Sequence, residues 1–235
     1  MTVLIFNVGF TAEYVIRAIS RRSIAGVNKI FLVAMESKDE YSQKRSSEAI
    51  GAILDFLRIA GVTDVDVVKV NVDWSFDAIL EYVSEKIGGY DDYEFHLVGG
   101  TRMTLLALYY LALLLSAMPG VKVKAIAYDE AMTSSKELPL RVPSVPTKEK
   151  LDVLEAIGAG ATVTGLARAL NKSPSTVSLQ LTSLKKEGLI TAEREGRKKD
   201  VELTPLGRAV LNLVKKAVKE KVGSETSPQG SSTRV

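Results

Sequence analysis

The stretch TVTGLARALNKSPSTVSLQLTSLKKEGLI, residues 162–190, carries the clearest structural signal in the chain. Its apolar residues recur at intervals of three and four, which predicts two helices, over 162–170 and 173–187. Ser173 followed by Pro174 is typical of a helix start, because serine caps free amides and proline suits the first helical position. The stretch therefore predicts two helices separated by a turn of two residues.

The neighbouring residues extend this pattern. A helix is predicted over 147–157, and Gly158–Gly165 is interpreted as a turn between helices. After the stretch, residues 189–204 predict a hairpin with the turn Gly196–Lys199, and a last helix follows over 205–222. Helix, helix, turn, helix, hairpin, helix is the pattern of a winged helix-turn-helix domain. The opening stretch resembles the segment shared by bacterial and archaeal winged-helix regulators.

The exposed face of the second helix in this motif is predicted to contact double-stranded DNA. Its hydroxyl side chains and lysines can contact phosphates and base edges, and Leu179 can offer an apolar contact to a thymine methyl group. Basic residues at the hairpin tip can reach the minor groove or the DNA backbone. The predicted DNA-binding residues are Ser173, Ser175, Thr176, Ser178, Leu179, Thr182, Lys185, Lys186, Arg197, Lys198 and Lys199.

The net charge of +3 is divided unevenly along the chain. Residues 1–146 hold 15 Lys/Arg and 18 Asp/Glu, whereas residues 147–235 hold 16 Lys/Arg and 10 Asp/Glu. The C-terminal part therefore carries about +6, which favours a polyanionic partner. The alternative is that the polar helix face is simply a solvated face of a helical interaction domain.

The domain boundaries follow from proline and from small polar residues. Two prolines within a few residues favour extended backbone and interrupt helices, which predicts a linker. The C-terminal residues are small, polar and aperiodic, which predicts disorder. We therefore predict a first domain over 1–140, a linker over 141–147, a winged helix-turn-helix domain over 148–222 and a disordered tail over 223–235.

The first domain alternates short apolar runs with helical patterns. The predicted strands are 3–8, 29–35, 65–72, 95–99 and 121–128, with 136–142 as an antiparallel edge strand. The predicted helices between them are 11–25, 41–60, 75–87 and 103–118. Apolar strands interleaved with helices indicate an α/β fold, a Rossmann-like parallel sheet covered on both faces. The common strand order 3-2-1-4-5 is expected.

Two loops are predicted to form a ligand crevice, because ligands of such sheets bind where the strand order reverses. Glycines allow close approach of the backbone, threonines can cap helices whose N-termini attract anions, and Arg102 adds a planar donor fork. This combination suits phosphate groups, and Phe10 can stack on a base. The predicted ligand-binding residues are Asn7, Gly9, Phe10, Thr11, Gly99, Gly100, Thr101, Arg102, Met103 and Thr104. The alternative is an ordinary tight turn with threonine as helix cap.

Several function classes are disfavoured by what the sequence lacks. Cysteine is absent and His96 is the only histidine, which argues against disulfides, thiolate zinc sites and histidine clusters and favours a reducing compartment. No G-x-G-x-x-G follows the first strand, and no P-loop motif occurs. We therefore expect no enzyme activity, no metal site and no cofactor.

The apolar segments of the chain suit a buried core. The N-terminal residues MTVLIFNVGF lack a basic start and are interpreted as a strand rather than a signal peptide. The longest apolar run, Leu105–Leu115, is too short to span a bilayer. A cytoplasmic protein without membrane contact is expected.

The two domains in this order, with Asn7–Thr11 after the first strand and Gly99–Thr104 after the fourth, resemble the archaeal CRISPR-associated transcriptional regulators. These proteins join a CRISPR-associated Rossmann-fold (CARF) domain to a C-terminal winged helix. The resemblance covers residues 1–222. It implies a homodimer whose crevices meet at the two-fold axis and bind a cyclic oligoadenylate, specifically cyclic tetra-adenylate, with DNA binding at CRISPR-associated promoters in antiviral defence.

Some relatives in this family cleave the cyclic ligand. No general base is identifiable in the sequence, so we predict sensing without efficient cleavage. Two alternatives remain open. The protein is either a CARF-type ring nuclease with the basic domain as a targeting module, or a regulator that senses another phosphorylated metabolite.

Overall fold

The computed structural model describes residues 2–141, 144, 146–157, 161–195 and 198–214, without the side chains of 193–195, 198 and 199. The chain divides into two compact units, Met1–Arg141 and Val142–Val235. The predicted fold class is confirmed, because a mostly parallel α/β unit precedes a smaller winged helix-turn-helix unit. Among the residues that the structure describes, no helix is both long and apolar enough to cross a membrane.

Six strands form the sheet of the first unit. They are β1 (Thr2–Val8), β2 (Val27–Glu36), β3 (Val65–Asn71), β4 (Asp92–Leu97), β5 (Lys122–Tyr128) and β6 (Ser135–Glu137). Their order is β3-β2-β1-β4-β5-β6, with β1 to β5 parallel and β6 antiparallel to β5. The predicted order 3-2-1-4-5 is confirmed, and the strand order reverses between β1 and β4.

Four helices cover the two faces of this sheet. They are α1 (Ala12–Arg22), α2 (Glu40–Ile59), α3 (Phe76–Ile87) and α4 (Arg102–Ser116). Successive side chains of β1 enter opposite cores: Leu4 and Phe6 pack with α1 and α2, whereas Val3 and Ile5 pack with α3 and α4. Burial on both faces explains why the strands are continuously apolar.

The boundaries of β4 differ from the prediction. The strand begins at Asp92 and ends at Leu97, whereas the sequence predicted 95–99. Its polar start gave no strand signal, yet each carboxylate there has a partner. The Thr2 hydroxyl donates to Asp92 at 2.7 Å, and Arg22 pairs with Glu94 at 2.6 Å.

Two other elements of this unit are several residues shorter than predicted. Helix α1 ends at Arg22 rather than at residue 25, because Ser23 takes a left-handed φ of 67°. Strand β6 covers only Ser135–Glu137 of the predicted edge strand 136–142. One further backbone bond follows, from the Leu138 N–H to the Ala125 carbonyl. Pro139 has no N–H with which to extend the pairing.

The described residues of the second unit form four helices and a small sheet. The helices are α5 (Lys148–Ala156), α6 (Val163–Ala169), α7 (Pro174–Lys186) and α8 over 205–214, where the described residues end. The strands are β7 (Ala161–Thr162), β8 (Ile190–Glu195) and β9 (Lys198–Leu203), in the order β7-β9-β8. Val177, Leu181 and Leu184 of α7 lie in the core, as predicted. The predicted tail 223–235 lies outside the described residues.

Two predictions about turns in the second unit were wrong. The predicted turn Gly158–Gly165 contains β7, whose two residues pair with Val201 and Asp200 of β9. The predicted turn Gly196–Lys199 is shorter, because Lys198 and Lys199 already belong to β9, opposite Glu195 and Arg194. A two-residue strand paired far along the chain leaves no periodic signal in the sequence.

Candidate ligand crevice and DNA-binding surface

A pocket of about 250 Å³ lies at the carboxyl ends of β1 and β4, where the strand order reverses. Both loops that the sequence singled out line it. The predicted residues among its lining are Gly9, Phe10, Thr11, Gly100 and Thr101. The lining residues that sequence reasoning missed are Val8, Met35, Ser37, Ser46 and Val72. These come from β1, β2 and the start of α2, and from the loops that follow β2 and β3.

Asn7, at the end of β1, links its own loop to the loop that follows β4. Its side chain is fully buried, and its carbonyl oxygen accepts hydrogen bonds from the Val98 N–H at 2.9 Å and the Gly99 N–H at 3.4 Å. Its Nδ2 is also buried and has no hydrogen-bond partner among the described residues. Asn7 does not line the pocket, so in this structure it positions the loops that do.

The glycines of the two loops touch through their backbones. A Cβ atom on Gly9 would lie 2.7 Å from the Gly100 nitrogen, closer than side-chain carbons approach other atoms. Gly100 has a φ of 76°, and a Cβ atom there would lie 3.0 Å from the Val8 carbonyl oxygen. Glycine is therefore required at both positions for the crevice to have this shape.

The threonines of the site differ in their roles. Thr101 is the N-cap of α4 and accepts a hydrogen bond from the Thr104 N–H. Thr104 itself lies inside the helix and is fully buried, and its hydroxyl donates to the Thr101 carbonyl at 2.9 Å. Thr11 is the N-cap of α1 without a side-chain cap bond. Of the three threonines expected to cap helices, Thr11 and Thr101 occupy N-cap positions, and only Thr101 makes the cap bond with its side chain.

Two predicted residues sit beside the pocket rather than in its lining. Arg102 and Met103 form the exposed first turn of α4, and Arg102 makes no hydrogen bond or ion pair within the described part of the chain. The first amides of a helix have no intrahelical acceptor and carry a partial positive charge. The turn therefore offers an exposed cation and backbone donors to an anion.

A second arginine reaches the crevice from α2. The guanidinium carbon of Arg45 lies 5.5 Å from the ring centre of Phe10 and 5.8 Å from that of Tyr41. Phe10 is 46% exposed, and its ring both contacts the Arg45 guanidinium and lines the pocket. Sequence reasoning missed Arg45 because it considered only the loops after strands. The position of Arg45 near the start of the helix that follows the second strand could have indicated it as a site residue.

A smaller pocket of about 60 Å³ adjoins the first and shares Met35, Ser37 and Ser46 with it. Its remaining lining residues are Ala34, Glu36, Gln43, Ser47, Ile50 and Lys69. The Gln43 amide donates to the Ser37 carbonyl at 2.8 Å, which ties α2 to the end of β2. The crevice therefore continues from the β1 and β4 loops toward α2 and β3.

His96 is a core residue. It lies in β4, fully buried, with its ring stacked on Phe6 and its Nδ1 2.9 Å from the Tyr128 hydroxyl. His96 and a hydrogen bond from Arg22, acting against burial, lower the pKa of Glu94 to about 2. Over the described residues, no three histidine or acidic side chains come together as a metal site.

The exposed face of α7 carries most of the predicted DNA-binding residues. Ser175, Thr176, Leu179, Thr182, Lys185 and Lys186 are exposed, as is Ser173 before the helix, and Ser178 is half-buried. Ser173 is the N-cap, and its hydroxyl accepts from the Thr176 N–H at 3.1 Å. Arg197 and the side chains of Lys198 and Lys199 lie outside the described part of the structure.

Comparison with known proteins identifies both units. A family model described as the Csa3 CRISPR-associated Rossmann-like domain matches residues 2–136, and a model of bacterial regulatory proteins of the arsR family matches residues 151–192. The first match covers more than half of the chain. In a comparison of the whole chain with curated proteins, no match was found.

Solved structures match over about a third of the chain. AF1382 from Archaeoglobus fulgidus is 24% identical over 32% of this chain and 90% of its own, with a TM-score of 0.30. FabT from Streptococcus pneumoniae, in complex with DNA, is 22% identical over 36% and 63%, with a TM-score of 0.33. The MepR–DNA complex from S. aureus is 24% identical over 35% and 66%, with a TM-score of 0.31. The match spans less than two thirds of the FabT and MepR chains.

Proposed function

This chain belongs to the family with a Csa3 CRISPR-associated Rossmann-like domain, and we propose that it regulates transcription in response to a cyclic oligoadenylate bound in its crevice. A Csa3 domain followed by a regulator-type helix-turn-helix domain is the composition of a DNA-binding transcription regulator in the CRISPR context. The ligand, the dimer and the coupling between them are the proposal.

The observation that carries the proposal is the shared pocket of the β1 and β4 loops. It combines touching glycine backbones, an exposed aromatic ring on Phe10 and the neighbouring cation of Arg102. Glycine backbones and helix N-termini accommodate phosphates, and exposed aromatic rings stack on bases. A ligand with both groups, such as cyclic tetra-adenylate, therefore suits the site.

The outer face of α4 supports a homodimer. Its exposed apolar side chains form one stripe at intervals of three and four residues: Met103, Leu106, Tyr110 and Leu114. Met118, just after the helix, continues the stripe. A stripe of this kind is usually covered by another surface, and isologous pairing of two copies is the commonest solution. The stripe starts in the first turn of α4, and we propose that the two helices pair with their first turns side by side, which brings the two crevices close to one axis. A symmetric ring can then contact the same groups twice.

The winged unit supplies the proposed output. We assign DNA contact to the exposed face of α7 and to the basic residues 197–199 of the hairpin. Ligand binding then changes the relative populations of dimer states that differ in affinity for DNA. The ligand is bound and not efficiently cleaved, because the groups that line the pocket are glycines, hydroxyls and apolar side chains.

The ligand is tested by titrating the full chain with cyclic tetra-adenylate. Trp74, the only tryptophan, lies two residues after Val72 of the pocket wall, and its fluorescence provides the signal. We expect saturation at one ring per two chains, with the ring recovered intact by chromatography. Absence of binding would reject this ligand, and mass spectrometry of co-purified molecules would then identify another phosphorylated metabolite. Linear fragments in excess over protein would instead show an enzyme.

A further inference from the structure

We infer that the part of α7 before its final turn recognises A·T base pairs by contact between Leu179 and thymine methyl groups, and that this part does not read guanine through a charged side chain. This inference rests on the proposed DNA binding by the winged unit and specifies the kind of site it prefers. It concerns the part of α7 that precedes its final turn, since residues near the N-terminus of a recognition helix contact base edges.

Leu179 is placed to make that contact. It is 73% exposed, the largest exposure of any large apolar side chain on α7. At 100° per residue it projects almost opposite the core residues Val177, Leu181 and Leu184. A single exposed leucine is ordinary on a protein surface. This one, however, lies on the outermost ridge of the helix that enters the groove, in its second turn.

The side chains that read other bases are absent from this ridge. Arginine and lysine pair with guanine, and asparagine and glutamine pair with adenine. Residues 173–184 contain no arginine, lysine or asparagine. The one amide, Gln180, is half-buried, and its Oε1 is a buried atom. Lys185 reaches back to the Ala192 carbonyl at 3.2 Å.

Four hydroxyl groups on or just before this helix already have partners inside the protein. Thr182 donates to the Ser178 carbonyl at 2.8 Å, and the Ser173 hydroxyl lies 2.8 Å from those of Ser175 and Thr176. A hydroxyl can contact any base, so these groups discriminate weakly. The thymine methyl is the apolar feature of the major groove, and an exposed leucine is its natural contact.

The experiment compares DNA that differs only in the methyl group. Full-length wild type and Leu179→Ala are titrated with one DNA fragment from a CRISPR-associated promoter. The fragment is prepared in two forms, one with thymidine and one with deoxyuridine at every thymidine position. For the wild type we expect uracil to weaken binding about fourfold for each contacted methyl, the effect of exposing one carbon. Leu179→Ala should bind both fragments equally. Thr182→Ala, on the same face, should keep the wild-type preference for thymine.

A second arm restores the methyl group in a different base pair. Single thymines that matter are replaced by cytosine or by 5-methylcytosine, which carries a methyl at the same groove position. We expect the wild type to bind DNA with 5-methylcytosine more tightly than DNA with cytosine. Leu179→Ala should bind these two DNAs with equal affinity. An equal effect of uracil on wild type and Leu179→Ala would reject the inference while leaving DNA binding intact. Failure of the wild type to bind any fragment would instead reject the proposed function.

Discussion

The side-chain carbonyl of Asn7 accepts a hydrogen bond from the backbone N–H of Val98 at 2.9 Å, which ties the end of β1 to the end of β4. The two residues are 91 positions apart, and the loops that follow them line the same pocket. The crevice is therefore a product of the sheet order, because only adjacent parallel strands bring these loops within reach of one side chain.

Replacing Asn7 with alanine should destabilise the first unit and weaken ligand binding. The Val98 N–H would lose its acceptor in a buried place, at a cost of about 1–3 kcal/mol. Thermal unfolding of the full chain measures the loss. The matched control is Asn71→Ala at the end of β3, where the side chain is exposed and accepts only from the Asp73 N–H. Equal losses in the two variants would contradict the role given to Asn7.

Replacing Gly9 with alanine should lower the stability of the protein, whereas replacing Gly51 with alanine should raise it. In Gly9→Ala the new Cβ meets the Gly100 backbone at 2.7 Å, so the loops must separate, at a cost of about 1–3 kcal/mol and most of the ligand affinity. Gly51 lies within α2 with no atom near its Cβ position, and alanine there should stabilise the helix by up to about 1 kcal/mol. Denaturant midpoints and ligand titration test both, and unchanged ligand binding in Gly9→Ala would contradict the packing.

Much of the first unit could be predicted because its strands are buried on both faces and appear as continuous apolar runs. The strand order and the two crevice loops followed from that pattern. The start of β4 could not be predicted, since Glu94 is buried through its pairing with Arg22, 72 positions away. Side-chain partners at such distances leave no trace in local periodicity.

The site was predicted in part for the same reason. Gly9, Gly100 and Thr101 follow strands directly, so the topology placed them. Arg45 and Ser46 enter the crevice because α2 packs over the sheet, and that packing is a tertiary property. Thr104 is the last residue of the predicted loop, but in the structure it lies in the first turn of α4 and its side chain is fully buried.

Acid should destabilise the first unit in part through Glu94. Contact with His96 and the hydrogen bond from Arg22 lower its pKa from 4.5 to about 2 in the folded state. The unfolded chain therefore binds the proton first, so this stabilisation is complete above pH 4.5 and is lost as the pH falls toward 2. Urea midpoints measured over this range should fall more steeply for wild type than for Glu94→Gln. Parallel curves would rule out the depressed pKa.

Gly207→Ala should damage the winged unit alone. A Cβ atom at this position would lie 1.9 Å from the Leu189 carbonyl oxygen, so α8 could not pack as it does. We expect DNA affinity to fall more than tenfold while ligand affinity is retained. The control is Gly188→Ala, where no atom lies near the Cβ and only the positive φ of 73° costs energy, about 1 kcal/mol. Intact DNA binding by Gly207→Ala would show that this contact is dispensable.

The most direct test of the account is the affinity of the full chain for upstream DNA, measured with and without saturating cyclic tetra-adenylate at one salt concentration. We predict a change of at least fivefold for the wild type, in either direction. Arg102→Ala should have the DNA affinity that wild type has without ligand, and this affinity should not respond to the ligand, because the exposed Arg102 lies beside the crevice and α7 belongs to the other unit. An unchanged affinity in the wild type with ligand demonstrably bound, or loss of basal DNA affinity in Arg102→Ala, would contradict the proposed coupling.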